Sequence, residues 1–245
     1  MKYIVLVPDG MADDPLEELD GKTPLEKAKT PNMDTLARLG RVGETKTVPA
    51  GFHPGSDVAI MAVLGYDPAQ YYTGRGPLEA ANLGVELKEG QIAFRCNVVT
   101  VANDIMVDYS AGHISSHEAA VIISFLDEKL GSQYGIKFYH GVSYRHLMVL
   151  GPGARAGKEL LSEEVDWDKV KCVPPHDIIN QNFLKNVPKG TGSDFLIKLM
   201  EDSKRLLAGH DINKVRIDLG ENPANMIWLW GQGKSPQMPT FKDKY

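Results

Sequence analysis

The feature that most constrains the fold is an apolar run near the start of the chain, "YIVLV", which Pro8, Asp9 and Gly10 terminate. A short continuous apolar run that ends in turn residues is typical of a strand buried on both faces of a parallel sheet. It is too short for a membrane span or for the apolar part of a signal peptide. The run therefore predicts an α/β layer with Asp9 at a strand end, and by default a cytoplasmic protein with no membrane partner.

The next segments continue this α/β pattern. "TPNMDTLARLG" predicts a helix with Thr30 as its N-cap, Pro31 in its first turn and Gly40 at its end. "RVGETKTV" predicts a second extended segment, and apolar residues at helical spacing predict another helix over 58–64. Ser56 lies at the start of that helix, directly after a loop rich in glycine and proline.

From about residue 82 the pattern indicates a second domain. "QIAFRCNVVTV" and "DIMVDYS" predict hairpin strands, "HEAAVIISFLDEKLG" predicts an amphipathic helix, and "IKFYHGVSYRHLMVLG" predicts two strands around Gly141. We expect an inserted α+β domain over residues 82–222. The apolar segment "PANMIWLWGQGK" is expected to return to the first sheet, so that residues 1–81 and 223–245 form the first domain.

Charge and cysteine usage exclude some classes of protein. The net charge is -5 with signs interspersed, so there is no basic stripe and nucleic acid is not expected as a partner. Cys96 and Cys172 lie far apart without metal-type spacing, which indicates reduced, buried thiols. The pairs His176–Asp177 and His210–Asp211 fall in the expected insertion, away from the first sheet, and are interpreted as structural.

Asp9 and Ser56 are the first candidates for chemistry. A carboxylate at the carboxyl end of a strand can hold a hard cation, although Pro-Asp-Gly is also a common turn sequence. A serine at a helix N-terminus faces free N–H groups and the positive end of the helix dipole, which favour a phosphate group or an alkoxide. Serine is equally a preferred N-cap, and from the residues alone both alternatives stay open.

Several segments together resemble a known family. "VPDG", "PNMDTLARLG", "PGSDVAIMAVLGYDP", "YYTGRGPLEAA", "AFRCNVVTV", "SYRHLMV" and "NPANMIWLWGQG" are similar, in this order, to the cofactor-independent phosphoglycerate mutases of the archaeal type, in the alkaline phosphatase superfamily. The resemblance implies a partial three-layer αβα core with an inserted α+β domain that grips the substrate. It also implies interconversion of 3-phosphoglycerate and 2-phosphoglycerate through a phosphoserine, with two divalent metal ions.

The resemblance assigns roles to five residues. Ser56 would be the nucleophile and a metal ligand, and Asp9 would be a second metal ligand. His113 resembles an imidazole that related mutases place beside the transferring phosphate, although it could instead cap a helix. Arg95 and Arg145 would bind the carboxylate or phosphate through bidentate contacts, although Arg95 could simply point to solvent.

Other expectations concern what accompanies this chain. Manganese is the first candidate metal, with magnesium, cobalt or zinc as alternatives. Mutases of this type continue past the "WLWGQG" strand, so their remaining metal ligands are expected to be missing from this chain, which would be a fragment or a truncated relative completed by a partner.

The alternatives in activity are a phosphatase or phosphonopyruvate decarboxylase-like enzyme, or a non-catalytic module that binds phosphorylated acids. A homo-oligomer stays open, and Arg75 would either anchor a domain junction or touch substrate.

Overall fold

The computed structural model describes residues 4–8, 10–156, 159–160 and 165–245. The chain divides into two compact units, Met1–Gln70 and Tyr71–Tyr245. Helices occur in both units, and the second unit also contains a five-stranded sheet. The prediction of a chain of mixed α and β structure is therefore confirmed.

The described part of the first unit is helical, with irregular connections. Its helices are α1 (Pro24–Lys27), α2 (Pro31–Leu39) and α3 (Ser56–Val63), preceded by a 3-10 turn, Glu17–Leu19. A further helical turn, α4 (Pro68–Tyr71), crosses the boundary between the units. As predicted, α2 has Thr30 as its N-cap and ends at Gly40.

The strands predicted in the first unit are not found among its described residues. Residues 4–8 and 41–48 form no strand, and Ile4 and Leu6 are 83% and 81% exposed. A strand requires a neighbouring strand to satisfy its N–H and C=O groups, and no described segment of this unit lies alongside as a ladder partner. Asp9 itself lies outside the described residues.

The second unit is built on an antiparallel sheet. Its strands are β1 (Ile92–Ala102), β2 (Ile105–Asp108), β3 (Ile136–Tyr139), β4 (Arg145–Leu150) and β7 (Met226–Gly233). The long strand β1 pairs with β2, β4 and β7, and β3 pairs with the outer side of β4. Two short strands, β5 (Arg155–Ala156) and β6 (Glu159–Leu160), pair separately.

Helices and turns surround this sheet. The helices are α5 (Arg75–Asn82), α6 (Ser116–Leu126), α7 (Ser132–Tyr134), α8 (Ser193–Leu207), α9 (Asp211–Asp218) and α10 (Phe241–Lys244). A π-helical segment, Asp127–Gly131, joins α6 to α7, and 3-10 turns cover Trp167–Lys169, Pro175–Ile178 and Phe183–Lys185. Within the described ranges, no helix is both long and apolar enough to cross a bilayer.

Local sequence explains the hairpin and the helix that were predicted here. Asn103 and Asp104, between β1 and β2, have φ angles of 48° and 61°, the left-handed conformations that a two-residue hairpin turn needs. Ser115 and Glu118 form a capping box at the start of α6, in which each side chain accepts a hydrogen bond from the other residue's backbone N–H. Both predictions are confirmed at these positions.

The position of β7 corrects an expectation. The apolar segment was expected to return to the first sheet, but β7 runs antiparallel to β1, with Trp228 opposite Asn97. An apolar run shows that a strand is buried without specifying its partner, and β1 offers an edge on the side away from β4. Residues 226–233 therefore belong to the second unit.

Thr73, near the start of the second unit, lies beside Lys234, which follows β7. The Thr73 hydroxyl donates a hydrogen bond of 2.7 Å to the Lys234 carbonyl, although the two residues are 161 positions apart. The contact is backbone against backbone, because a Cβ added at Gly233 would overlap the Thr73 carbonyl group. The segment 73–234, which contains the whole sheet, thus begins and ends at adjacent positions.

The two faces of β1 have different characters. Phe94, Cys96 and Val98 point into the main hydrophobic core, together with residues of α6 and α8. Because side chains alternate along a strand, Arg95 and Asn97 lie on the opposite face. The charged side chain of β1, Arg95, therefore lies on the face away from the main core.

Candidate functional site

Arginines from two strands share one face of the sheet. Trp230 on β7 lies opposite Arg95, and Arg145 on β4 lies opposite Asn97. Directly opposed residues of antiparallel strands point to the same side, as do residues two apart on one strand. The predicted substrate-binding residues Arg95 and Arg145 are therefore diagonal neighbours.

Helix α5 adds a third guanidinium group to this face. Arg75 and Glu79 are four residues apart and so lie on the same side of α5. The guanidinium carbons of Arg75 and Arg95 lie 5.1 and 5.4 Å from the ring centre of Trp230, within the range of cation–π interactions. Glu79 forms an ion pair of 2.9 Å with Arg95. We call Arg75, Arg95, Arg145 and Trp230 the arginine face.

The segment around Arg75 packs unusually close to the strands. A Cβ added at Gly76 would lie 2.6 Å from the carbonyl carbon of Ala93 on β1, closer than real side chains approach. Glycine at this position lets α5 contact the β1 backbone directly. The sequence "TGRGP" thus brings Arg75 close to Trp230.

Positive charges outnumber negative charges around Arg95. Burial lowers the pKa of Arg95, Glu79 raises it, and the nearby Arg145 and Arg75 lower it further, so the pKa lies below its usual value. Its Nε atom is buried and has no hydrogen-bond partner among the described protein atoms. A bound anion would relieve the repulsion between these guanidinium groups.

Arg145 is the accessible member of the face. Its side chain is exposed, and its guanidinium carbon lies 5.4 Å from the ring centre of Tyr144. No carboxylate in the described ranges lies within ion-pair distance of it. Arg95, by contrast, is 13% exposed, so the alternative that it points to solvent is wrong.

A buried histidine fixes the loop that carries Arg145. His146 is fully buried, and its Nδ1 atom accepts a hydrogen bond of 3.0 Å from the Gly141 N–H, which places the proton on Nε2. Burial, with smaller effects from His140 and Arg95, lowers the pKa of His146 to about 3. The ring is therefore neutral at physiological pH.

His113 lies on a strained turn. Ala111, Gly112 and His113 have φ angles of 48°, 67° and 51°, and left-handed conformations of non-glycine residues cost about 1–3 kcal/mol each. The carboxylate of Asp108 stabilises the turn by accepting hydrogen bonds of 2.7 Å from the N–H groups of Ser110 and Gly112. The His113 side chain is exposed, and the cap of the following helix is Ser115, so the alternative of a helix-capping histidine is wrong.

Partial burial raises the pKa of Asp108, but hydrogen bonds from Ser110, Asn222 and Gly112 outweigh this effect and leave the pKa below its usual value. The carboxylate is therefore charged when it holds the turn.

Ser143 connects this turn to the loop of Arg145. Its hydroxyl donates a hydrogen bond of 2.7 Å to the Ile114 carbonyl, and its N–H donates one of 2.9 Å to the Ser116 hydroxyl. Residue 114 follows His113, and Arg145 is two residues after Ser143. The structure thus links the loops of two predicted substrate-binding residues.

Ser56 is the first residue of α3, and Gly55 is its N-cap, so the alternative that Ser56 is an ordinary N-cap is wrong. Its side chain is exposed. Asp9 cannot be placed beside it, since it lies outside the described residues.

The metal pair implied by the family resemblance is not accommodated by the described residues alone. Among them, no group of three or more His, Cys, Asp or Glu side chains could hold a metal ion. A hydroxyl from Ser56 and a carboxylate from Asp9 are fewer oxygen ligands than hard divalent cations take. We therefore assign no chemical step to a metal.

Sequence reasoning did not single out Trp230, Glu79 or Asn97. Trp230 donates from its indole Nε1 to the Asn97 side-chain oxygen at 3.1 Å. The four-residue spacing of Arg75 and Glu79 indicates that the two side chains share one face of a helix. The position of Trp230, by contrast, depends on the pairing of β7 with β1. His176 packs edge-on against Trp230 with ring centres 5.4 Å apart. His210 is the N-cap of α9, which confirms its structural interpretation.

The fold and site define a mixed α/β protein with a cationic, aromatic-backed face suited to small anions. Residues 37–213 match the 2,3-bisphosphoglycerate-independent phosphoglycerate mutase family, and the chain belongs to that family.

Curated relatives and one solved structure that carry this family name agree with this assignment. The chain is 49% identical over 245 residues to a protein of this name from Methanosarcina mazei and 48% identical to a probable one from Geobacter sulfurreducens. It is covered completely in both matches but spans only 58% and 59% of those relatives. A cofactor-independent phosphoglycerate mutase from Thermoplasma acidophilum matches 96% of the chain, and 60% of that protein, with a TM-score of 0.54 and 29% identity. A Pyrococcus horikoshii protein matches 96% of the chain, and 52% of that protein, with a TM-score of 0.64 and 27% identity.

Proposed function

We propose that this chain supplies the serine nucleophile and the substrate-binding unit of an enzyme that interconverts 3-phosphoglycerate and 2-phosphoglycerate. The observation that carries the proposal is the arginine face, on which Arg75 and Arg95 stack on Trp230 and Arg145 lies close enough to Arg95 to lower its pKa. Phosphoglycerate carries a phosphate and a carboxylate, and both match the planar fork of arginine.

The residues would act in succession. In the first step Ser56 Oγ loses its proton and attacks the phosphorus, a serine–phosphate bond forms, and the bond between phosphorus and the C3 oxygen breaks as that oxygen takes up a proton. Arg145 and Arg95 would retain the glycerate by its carboxylate. The C2 hydroxyl then loses its proton and attacks the phosphorus of the phosphoserine, a bond forms between phosphorus and the C2 oxygen, and the bond between phosphorus and Ser56 Oγ breaks as Oγ takes up a proton. His113 would lie beside the transferring phosphate.

The family resemblance assigns two divalent metal ions to this chemistry, manganese first, with Asp9 and Ser56 as ligands. Such ions would stabilise the serine alkoxide and the phosphoryl oxygens. Because the chain spans 58% of its relatives, we propose that further ligands lie in a part of the protein that these residues do not include. We also propose a cytoplasmic location, as expected for an enzyme of glycolysis.

A binding module without catalysis is the second candidate. Its support is that the arginine face lies entirely within Tyr71–Tyr245, whereas Ser56 lies in the other unit. Such a module would bind phosphoglycerate and leave it unchanged. A phosphatase of the same superfamily would instead release inorganic phosphate.

The test is to incubate the chain with 3-phosphoglycerate and Mn²⁺, follow the products by ³¹P NMR and measure affinity by calorimetry. We expect 3-phosphoglycerate to bind, Arg145→Ala to weaken binding and Ser56→Ala to preserve it. Appearance of 2-phosphoglycerate supports the mutase and appearance of inorganic phosphate supports the phosphatase, whereas binding without turnover fits both the module and a mutase that lacks its further metal ligands. If 3-phosphoglycerate does not bind at all, the proposal is wrong.

A further inference from the structure

The strained turn that presents His113 is held by a buried arginine from a distant helix. Arg216, on α9, is 3% exposed, and its Nη2 atom donates a hydrogen bond of 2.8 Å to the Ala111 carbonyl. We propose that Arg216 is a positioning residue, which acts through the backbone of this turn to fix the His113 imidazole for phosphoglycerate. This inference rests on the function proposed above.

The contacts of Arg216 use all of its guanidinium nitrogens. Nε donates to the Asn222 carbonyl at 2.9 Å, and Nη1 forms ion pairs of 2.9 Å with Glu118 and 3.0 Å with Glu221. Two carboxylates thus compensate the buried charge, so Nη2 is left for the turn. A lysine could not reproduce these contacts, because a single ammonium group lacks the rigid fork.

Asp108 holds the same turn from its other side. Its Oδ2 atom accepts hydrogen bonds from the Gly112 N–H at 2.7 Å and from the Asn222 side chain at 3.0 Å. Asn222 therefore touches both clamping groups, since its carbonyl accepts from Arg216. A Cβ added at Gly112 would lie 3.1 Å from Arg216 Nη2, so little room remains for the turn to move.

This clamp differs from a device that only stabilises the fold. It holds two non-glycine residues, Ala111 and His113, in an unfavourable conformation and leaves the His113 imidazole exposed. No hydrogen bond of that imidazole is found within the described ranges. Backbone strain that is held by several partners and presents an unengaged polar side chain is typical of binding sites.

The test is a double-mutant cycle on the full 245-residue chain, with 3-phosphoglycerate as the probe. We expect Arg216→Lys to weaken binding at least fivefold in the wild-type background and to have no further effect in a His113→Ala background. The His113 backbone and imidazole NMR signals should shift and broaden in Arg216→Lys. The matched control is Arg205→Lys, which alters an ion pair with buried Asp202 and should change neither readout.

Two outcomes overturn the inference: equal weakening by Arg216→Lys in both backgrounds, or His113 signals that do not change. If Arg216→Lys fails to fold, Asp108→Asn tests the same clamp and should give the same shift in the His113 signals. If wild-type protein does not bind 3-phosphoglycerate, the proposed function fails, and the role of Arg216 in fixing His113 is still decided by the NMR signals.

Discussion

Substituting Gly76 by alanine tests whether direct backbone contact holds α5 on the sheet. The added Cβ would lie 2.6 Å from the Ala93 carbonyl carbon and 3.0 Å from the Phe94 nitrogen. Gly76 does not have a positive φ, so the cost is steric and not conformational. Overpacking costs about 1–3 kcal/mol, and we expect the upper end because β1 is paired on both sides and cannot retreat.

A loss of about 3 kcal/mol corresponds to a fall in Tm of roughly 6–12 °C for a domain of this size. Differential scanning calorimetry measures that fall directly. The matched control is Gly209→Ala, since a Cβ there meets nothing within 4 Å and the φ is not positive. It should be neutral or raise stability by about 0.4–1 kcal/mol. A Gly76→Ala protein that melts within 2 °C of wild type, taken as roughly the effect of 1 kcal/mol, would refute the close-packing argument.

Three further predictions concern single side chains. His146 has a pKa of about 3 in the folded protein and an ordinary pKa of about 6.5 in the unfolded chain, so between these values only the unfolded chain binds the proton. The free energy of unfolding should therefore fall by about 1.4 kcal/mol per pH unit as the pH drops from about 6.5 toward 3. His146→Asn should flatten this dependence in urea titrations. Arg145→Ala should weaken 3-phosphoglycerate binding roughly tenfold or more by calorimetry, with Tm unchanged because the side chain is exposed. Both cysteines were expected to be buried, but only Cys96 is, and Cys172 is half-buried. Burial raises the pKa of the Cys96 thiol, so a thiol reagent at pH of about 8 should modify Cys96 only as fast as the protein opens; immediate modification of Cys96 would contradict this.

Elements encoded by neighbouring residues could be predicted from the sequence. The β1–β2 hairpin depends on Asn103 and Asp104, and α6 depends on the capping box of Ser115, so each signal lies within a few positions of the element. Helix α2 is similar, with Thr30 before its first residue. In these cases local hydrogen bonds and allowed backbone angles decide the structure.

Features that depend on distant contacts could not be predicted. The sequence shows that β7 is apolar, but its pairing with β1 joins residues more than a hundred positions apart, and the position of Trp230 follows from that pairing. The Arg216 contact with Ala111 spans 105 positions. The predicted strand over residues 3–7 is not formed in its described part, residues 4–7, for a related reason, since an apolar run forms a strand only beside a ladder partner.

The hydrogen bond between Thr73 and Lys234 has a consequence for engineering. The segment 73–234, whose two ends are joined by this hydrogen bond, can be inserted into a surface loop of an unrelated host with short connectors, because the connectors have only a short distance to span. The same proximity allows a circular permutant in which a brief glycine-rich bridge joins the old ends and new termini open in an exposed turn. The sheet and the arginine face would be transferred together, because both lie within this segment.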